Sequence, residues 1–129
     1  MKETECFVKD SFLILKTSTA FRRIRLSEIL YFFVRENYTF LLLFSQKEEL
    51  IPDSLSNLMT ILPTAYFFQI NKSVIVNMQH CEKCEFTSRL SNVWMSNGTQ
   101  FVVSRRRARL FQKEYDLFLK GDNPFKDIF

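Results

Sequence analysis

Residues 93–109 read VWMSNGTQFVVSRRRAR, and their reading decides the fold. Two β-rich runs flank Asn97-Gly98, the strongest short-range hairpin signal, because both residue types tolerate the positive φ of a type I′ turn. With Asn97-Gly98 as a two-residue loop, Trp94 falls across from Phe101, an aromatic pair of the kind that sets strand register. Ser104 then stands where a helix N-cap is wanted, and Arg105, Arg106 and Arg107 fill the first turn. The positive end of a helix dipole repels cations, so helix stability does not account for those arginines. An anionic partner does.

Outward from this stretch, composition narrows the classes. The 129 residues suit one domain, or one domain with a tail, and 47% hydrophobic content with fifteen Phe excludes disorder. Two Gly and three Pro leave no Gly-rich phosphate cradle. No apolar run reaches the roughly 18 residues needed to span a bilayer, and MKETECFVKD lacks the apolar centre of a signal peptide. A cytoplasmic protein without a membrane partner is expected. Three Cys in such a chain fit reduced thiols better than a disulfide framework.

The net charge of +4 is unevenly placed. Residues 1–60 hold eight Lys+Arg against eight Asp+Glu, whereas residues 61–129 hold ten against six. Five bases and no acid lie between Arg105 and Lys113. A modest charge focused on one segment marks a local footprint for a polyanion.

A short apolar run predicts a strand at residues 12–15, period-two patterning predicts one at 21–26 with Ile24 and Leu26 inward, and a run apolar on both faces predicts one at 29–34. Residues 35–39 interrupt as a longer polar loop before a strand at 40–44, and a short strand at 49–51 stops at Pro52. Asp53 or Ser54 caps a short helix over residues 55–62, with Leu55, Leu58, Met59 and Leu62 at helical spacing and Pro63 closing it. Strands follow at 66–70 and 74–76, and residues 80–85 lead to a strand or turn near Phe86. A helix is predicted from Ser104 to about Lys120, stopped by Gly121. Arg105, Arg106, Arg109, Lys113 and Lys120 fall in one sector of about 100°; Ala108, Leu110, Phe111, Tyr115, Leu117, Phe118 and Leu119 form the packing side. Arg107 lands among the apolar positions and is expected to exit at the helix end or meet Glu114. The fold class is therefore mainly β, with one short internal helix and a C-terminal helix.

Enzymatic readings fare poorly. His80 is the only histidine, and no nucleophile or carboxylate constellation accompanies it. The run HCEKC (His80, Cys81, Cys84) falls short of the four ligands of a structural zinc site, and it lacks the βαβ setting of a redox pair. Free Cys is among the most buried residue types, so Cys81 and Cys84 are expected to face the core. No metal and no cofactor are expected. Three polar segments, residues 35–39, 69–73 and 104–109, each carry a base with Asn, Ser, Thr or Tyr. Such groups bond phosphates, and Arg, Asn and Lys also read base edges.

Several blocks together carry a family resemblance. They are Leu26-Ser27-Glu28-Ile29-Leu30-Tyr31, Glu36-Asn37-Tyr38-Thr39, Leu55-Ser56-Asn57-Leu58 with Leu62-Pro63, and the run Phe67-Phe68-Gln69-Ile70-Asn71-Lys72-Ser73-Val74-Ile75-Val76-Asn77. Asn97-Gly98-Thr99 and Val103-Ser104-Arg105-Arg106-Arg107 complete the set. In their order and spacing the chain resembles the LytTR family of bacterial DNA-binding domains, the output domains of many response regulators, over roughly residues 12–113.

The resemblance implies an elongated antiparallel β-strand domain that holds double-stranded DNA with loops rather than a recognition helix. It implies transcriptional regulation at promoter direct repeats, two copies together as a homodimer on DNA, and a separate sensor or regulatory partner. It divides the chain into an N-terminal segment (1–10), the DNA-binding domain (11–113) and a helix end with tail (114–129). Carried over by position, Asn37, Tyr38, Lys72 and Arg105 are the expected base contacts; Asn71, Ser73, Arg106, Arg107 and Arg109 are the expected backbone contacts. The family's His-Arg pair is Asn71-Lys72 here, and lysine keeps the charge while losing the bidentate fork. Cys81 and Cys84 stand where the pattern is usually aliphatic. No receiver domain precedes the blocks, so the chain is expected to be either a stand-alone regulator without its own phosphoacceptor Asp or the output part of a longer protein. Two alternatives stay open: a protein-interaction module using the aromatic tail at residues 123–129, and a single-stranded nucleic-acid binder that stacks bases on aromatic rings.

Overall fold

The computed structural model of the chain describes residues 4–121. In chain order they form β1 (Glu5–Lys9), β2 (Phe12–Lys16), β3 (Phe21–Arg25), β4 (Ile29–Arg35), β5 (Tyr38–Leu43), β6 (Glu48–Ile51), α1 (Leu55–Ile61), β7 (Phe67–Asn71), β8 (Val74–Asn77), β9 (Cys81–Phe86), β10 (Ser91–Met95), β11 (Gln100–Val103) and α2 (Arg105–Lys120). The aromatic tail at residues 123–129 lies outside the described residues. The fold is mainly β with every strand pair antiparallel, as the sequence predicts.

Three sheets make up the domain, ordered β1-β2-β3, β6-β5-β4-β8-β7 and β11-β10-β9. The five-stranded sheet is central because β4 is apolar on both faces. Ile29 and Phe32 enter one core with Leu13, Ile24, Leu41 and Ile75, where α1 adds Leu55 and Leu58. Leu30 and Tyr31 enter the other core with Leu42, Val76, Val93, Met95, Val103 and Phe111. β1–β3 with α1 thus cover one face, and β9–β11 with α2 cover the other. At about 25 cal/mol per Å² of apolar surface, two cores built on one sheet supply most of the drive to fold.

The turns depart from expectation. The residue 35–39 segment is no long loop: Arg35 pairs with Tyr38, and only Glu36 and Asn37 turn the chain, both at positive φ (54° and 70°). Asp10 and Ser11 do the same between β1 and β2, with φ of 52° and 70°. That first strand carries no inward–outward alternation to read, since its three central residues are all half-buried and both its ends are exposed. At the Asn-Gly hairpin only Gly98 has positive φ (91°), and the loop has three residues: Met95 N donates to Thr99 O and Gly98 N to Met95 O, both at 2.8 Å. This is a type I turn closed by a glycine bulge rather than type I′. The register moves by one, so Trp94 pairs with Gln100, and Phe101 pairs with Val93. The reason is burial. Only an odd loop puts Phe101 and Val103 on the same face as Val93 and Met95. Phe101 then meets Tyr31 edge-on at 4.8 Å, while Trp94 stacks under Lys83 at 4.6 Å.

Both helices start where predicted. Ser54 Oγ caps α1 through Asn57 N at 3.1 Å. Ser104 occupies the N-cap of α2 with extended backbone, but its hydroxyl makes no capping bond. Among the described residues that oxygen has no partner. The backbone docks instead, with Ser104 N donating to Ile70 O at 2.8 Å. The packing stripe of α2 is narrower than predicted. Phe111 is fully buried and Ala108, Tyr115 and Phe118 pack beside it, whereas Leu110, Leu117 and Leu119 stay exposed. One helix on one sheet covers only the 108, 111, 115, 118 line.

Candidate nucleic-acid interface

The three polar segments singled out in the sequence meet along one side of the domain. The Glu36–Asn37 turn leaves Asn37 and Tyr38 projecting, and Tyr38 is 62% exposed. Arg35 from the same segment is not available. It lies over the rings of Phe40 and Phe33 at 4.5 and 5.5 Å and donates to Glu48 at 2.9 Å.

Lys72 and Ser73 turn the chain from β7 to β8, with Lys72 exposed. Val34 N donates to Ser73 O at 3.0 Å, which ties this turn to the end of β4 beside the first turn. Asn37, Tyr38, Gln69 and Lys72 consequently line one cleft of about 550 Å³. Asn71 does not project with them. Its Oδ1 accepts from Ser73 N at 2.7 Å and its Nδ2 donates to Val102 O at 2.8 Å.

That second bond reaches the third segment. β11 ends at Val103, Ser104 hangs on Ile70, and α2 begins with Arg105 and Arg106 exposed. Arg107 neither leaves at the helix end nor meets Glu114. It turns inward and donates to Gln69 O at 3.3 Å, bracing the helix start against β7. Among the described residues no ion pair engages Arg105, Arg106 or Arg109. Arg105 and Arg109 also line a cleft of about 570 Å³ with Arg89, from the β9–β10 turn. Sequence reasoning missed Arg89; its signal was a lone base in the polar run Thr87-Ser88-Arg89.

Exposed bases on a rigid, antiparallel β-framework are what a polyanion binder presents, and the comparisons agree with that geometry. A profile of the LytTr DNA-binding domain matches residues 19–116. The chain belongs to the LytTR family. A solved structure, the LytTr DNA-binding domain of a response regulator from Bacillus cereus, superposes with a TM-score of 0.70 at 24% identity, covering 82% of this chain and 97% of that one. At that identity the likeness bears on the fold alone. Comparison with curated proteins found no match. LytTR domains are a DNA-binding family typical of response-regulator outputs, not a family of enzymes. No described helix is long and apolar enough to cross a membrane.

The remaining reactive groups of this LytTR domain sit elsewhere. His80 is buried and its Nε2 lies 2.7 Å from Ser27 O, so it serves the fold. Burial lowers its pKa, and the bond to Ser27 offsets part of that. Asn77 beside it donates to Ile29 O at 2.9 Å. Cys81 and Cys84 are half-buried against the second core, as expected of core-facing thiols. Their mutual hydrogen bond and burial hold Cys81 well above its ordinary value, while the bond from Cys81 draws Cys84 down.

Proposed function

We propose that this LytTR domain binds double-stranded DNA sequence-specifically, gripping the duplex with three adjoining turns, and that it regulates transcription. One observation carries the proposal. Val34–Ser73, Asn71–Val102 and Ser104–Ile70 bonds lock the three segments into a single edge that presents Asn37, Tyr38, Lys72 and Arg105 outward. Arg105, at the rigid junction of β11 and α2, reads a base in the major groove, where guanidinium matches guanine bidentately. Asn37 or Tyr38 makes a second groove contact, and Lys72 lies between them on phosphate or in the minor groove. Ser73, Arg106 and Arg109 take phosphates, joined by Arg89. Asn71 and Arg107 contribute by holding the turns, with Arg107's remaining donors available to phosphate. Residues 11–113 would be the binding unit, two copies would occupy direct repeats at a promoter as a homodimer on DNA, and a separate sensor or regulatory partner would set its activity in the cytoplasm.

The test begins with duplexes selected from random DNA. Their affinity should fall steeply with salt, because each neutralised phosphate contributes about −0.9 to the log–log slope. Arg105→Ala should weaken selected sites by about 1–3 kcal/mol and spare non-specific duplex. Salt-independent affinity would sink the proposal, and equal losses on both DNAs would remove Arg105 from base reading.

A further inference from the structure

Three sulfur-bearing side chains, Cys81, Cys84 and Met95, pack in one core beneath α2. The β9–β10 ladder slips between Trp94 and Met95, so that Met95 faces Cys81 while Trp94 faces Lys83. This bulge turns Cys81 to the same side of β9 as Cys84, and both pack against the second core. Cys81 Sγ lies 3.8 Å from Met95 Sδ, and Cys84 packs on the same side of β9 against the same core. Tyr115 closes the cluster from the helix side, its hydroxyl donating to Cys81 O at 3.4 Å. Cys84 and Tyr115 also line a cleft of about 570 Å³ with Phe86, Arg109, Lys113 and Asp116, which gives Cys84 a route to solvent, while Met95 is fully buried.

Zinc does not suit this arrangement, and a disulfide would leave out its third sulfur. Among the described residues no three His, Cys, Asp or Glu side chains converge, so zinc lacks its tetrahedral set. The register sets Cys81 opposite Met95 and Cys84 opposite Val93, two residues apart on β10, so the two cysteines lie about 7 Å apart along the strand, at the outer edge of disulfide geometry. An ion seated between the sulfurs engages all three, and thiolate and thioether donors too few for tetrahedral zinc suit monovalent copper among the soft metals.

We propose that Cys81, Cys84 and Met95 form a binding site for Cu(I), with two thiolates and one thioether as donors. Each cysteine gives its proton to solvent on binding, and no electron is transferred. Arg109, proposed as a phosphate contact, also lines the cleft beside Cys84, so the site adjoins the DNA-binding surface without sharing its base-reading residues.

The experiment is an anaerobic competition of the fully reduced protein against the Cu(I)–bicinchoninate complex. One equivalent of copper should leave the chelator per chain. Cys81→Ser and Cys84→Ser should each lose this ability, Met95→Leu should weaken it without abolishing it, and Cys6→Ser should leave it unchanged. Alkylation mapped by mass spectrometry tests the unmutated protein, so the assignment stays falsifiable whichever variants fold. Copper should shield Cys81 and Cys84 from iodoacetamide and leave Cys6 reactive. Absence of copper withdrawal, equal withdrawal by the Cys81→Ser/Cys84→Ser double variant, or shielding of Cys6 in place of the pair would overturn the assignment.

Discussion

Replacing Asn71 by alanine separates two roles that one surface asparagine can play. As a bare DNA contact it would contribute nothing to folding, and its loss would stay within about 0.5 kcal/mol. The structure instead spends both ends of its amide, on Ser73 N at 2.7 Å and on Val102 O at 2.8 Å. Each such bond contributes about 0.5–1.5 kcal/mol net. Asn71 is half-buried, so the lower half of the sum applies, about 1–2 kcal/mol. With a urea slope of about 2 kcal/mol per M, the unfolding midpoint of Asn71→Ala should fall by about 0.5–1 M. Affinity for selected and non-selected DNA should fall together, because the β7–β8 turn loosens relative to β11. The salt slope should not change, since no charge has been removed. A midpoint unmoved within about 0.25 M, with DNA affinity alone reduced, would refute the bridging role and make Asn71 a direct contact.

Three further outcomes are expected. Phe111→Ala empties a fully buried position that meets Phe68 at 5.1 Å and Tyr115 at 5.8 Å; calorimetry should show a loss of about 3–5 kcal/mol, and a loss below about 1 would mean α2 is not anchored by this ring. Arg89→Ala should reduce the salt slope of DNA binding by about 1 without changing which sequences are selected, and an unchanged slope would remove Arg89 from the interface. His80 is held below its ordinary value of 6.5 by burial, so the unfolded chain takes up the proton first. Stability from this group is complete above about pH 6.5 and is lost as pH falls from there through the lowered folded value. Urea midpoints should therefore decline over that window in the wild type and stay flatter in His80→Gln; parallel curves would mean His80 does not carry the dependence.

Much of the fold was legible locally. A short apolar run predicted β2, alternation predicted β3, and continuous apolarity marked β4 as a strand apolar on both faces, which made it the centre of the sheet system. Ser54 and Pro63 bracketed α1 as propensity requires. The turns were less legible because turn type answers to register as well as to residue preference. Glu36-Asn37 and Asp10-Ser11 accept positive φ without glycine, since the flanking pairs Arg35–Tyr38 and Lys9–Phe12 leave only two residues to reverse the chain. At Asn97-Gly98 local preference favours two residues, yet core packing of Val93, Met95, Phe101 and Val103 imposes three. That parity was present in the sequence and would have given the register.

For the candidate site, residue chemistry alone nominated three polar segments, because bases among Asn, Ser, Thr and Tyr stand out against apolar strands. What each member does was decided by contacts made within and between the folded strands, from Arg35 over Phe40 to Arg107 on the Gln69 carbonyl. Arg107 and Arg105 are two positions apart in one arginine run, but one meets a β7 carbonyl and the other faces solvent. Arg35 is captured by two rings and Glu48, and Asn71 by two backbone groups, while Arg89 joins from a strand pair that composition did not flag. The sequence by itself determined the kind of partner, since the charge and hydrogen-bonding groups of a segment are local properties. Only the tertiary structure decided which of those groups remain free to meet it, because burial and hydrogen-bond competition depend on residues brought together by the sheets.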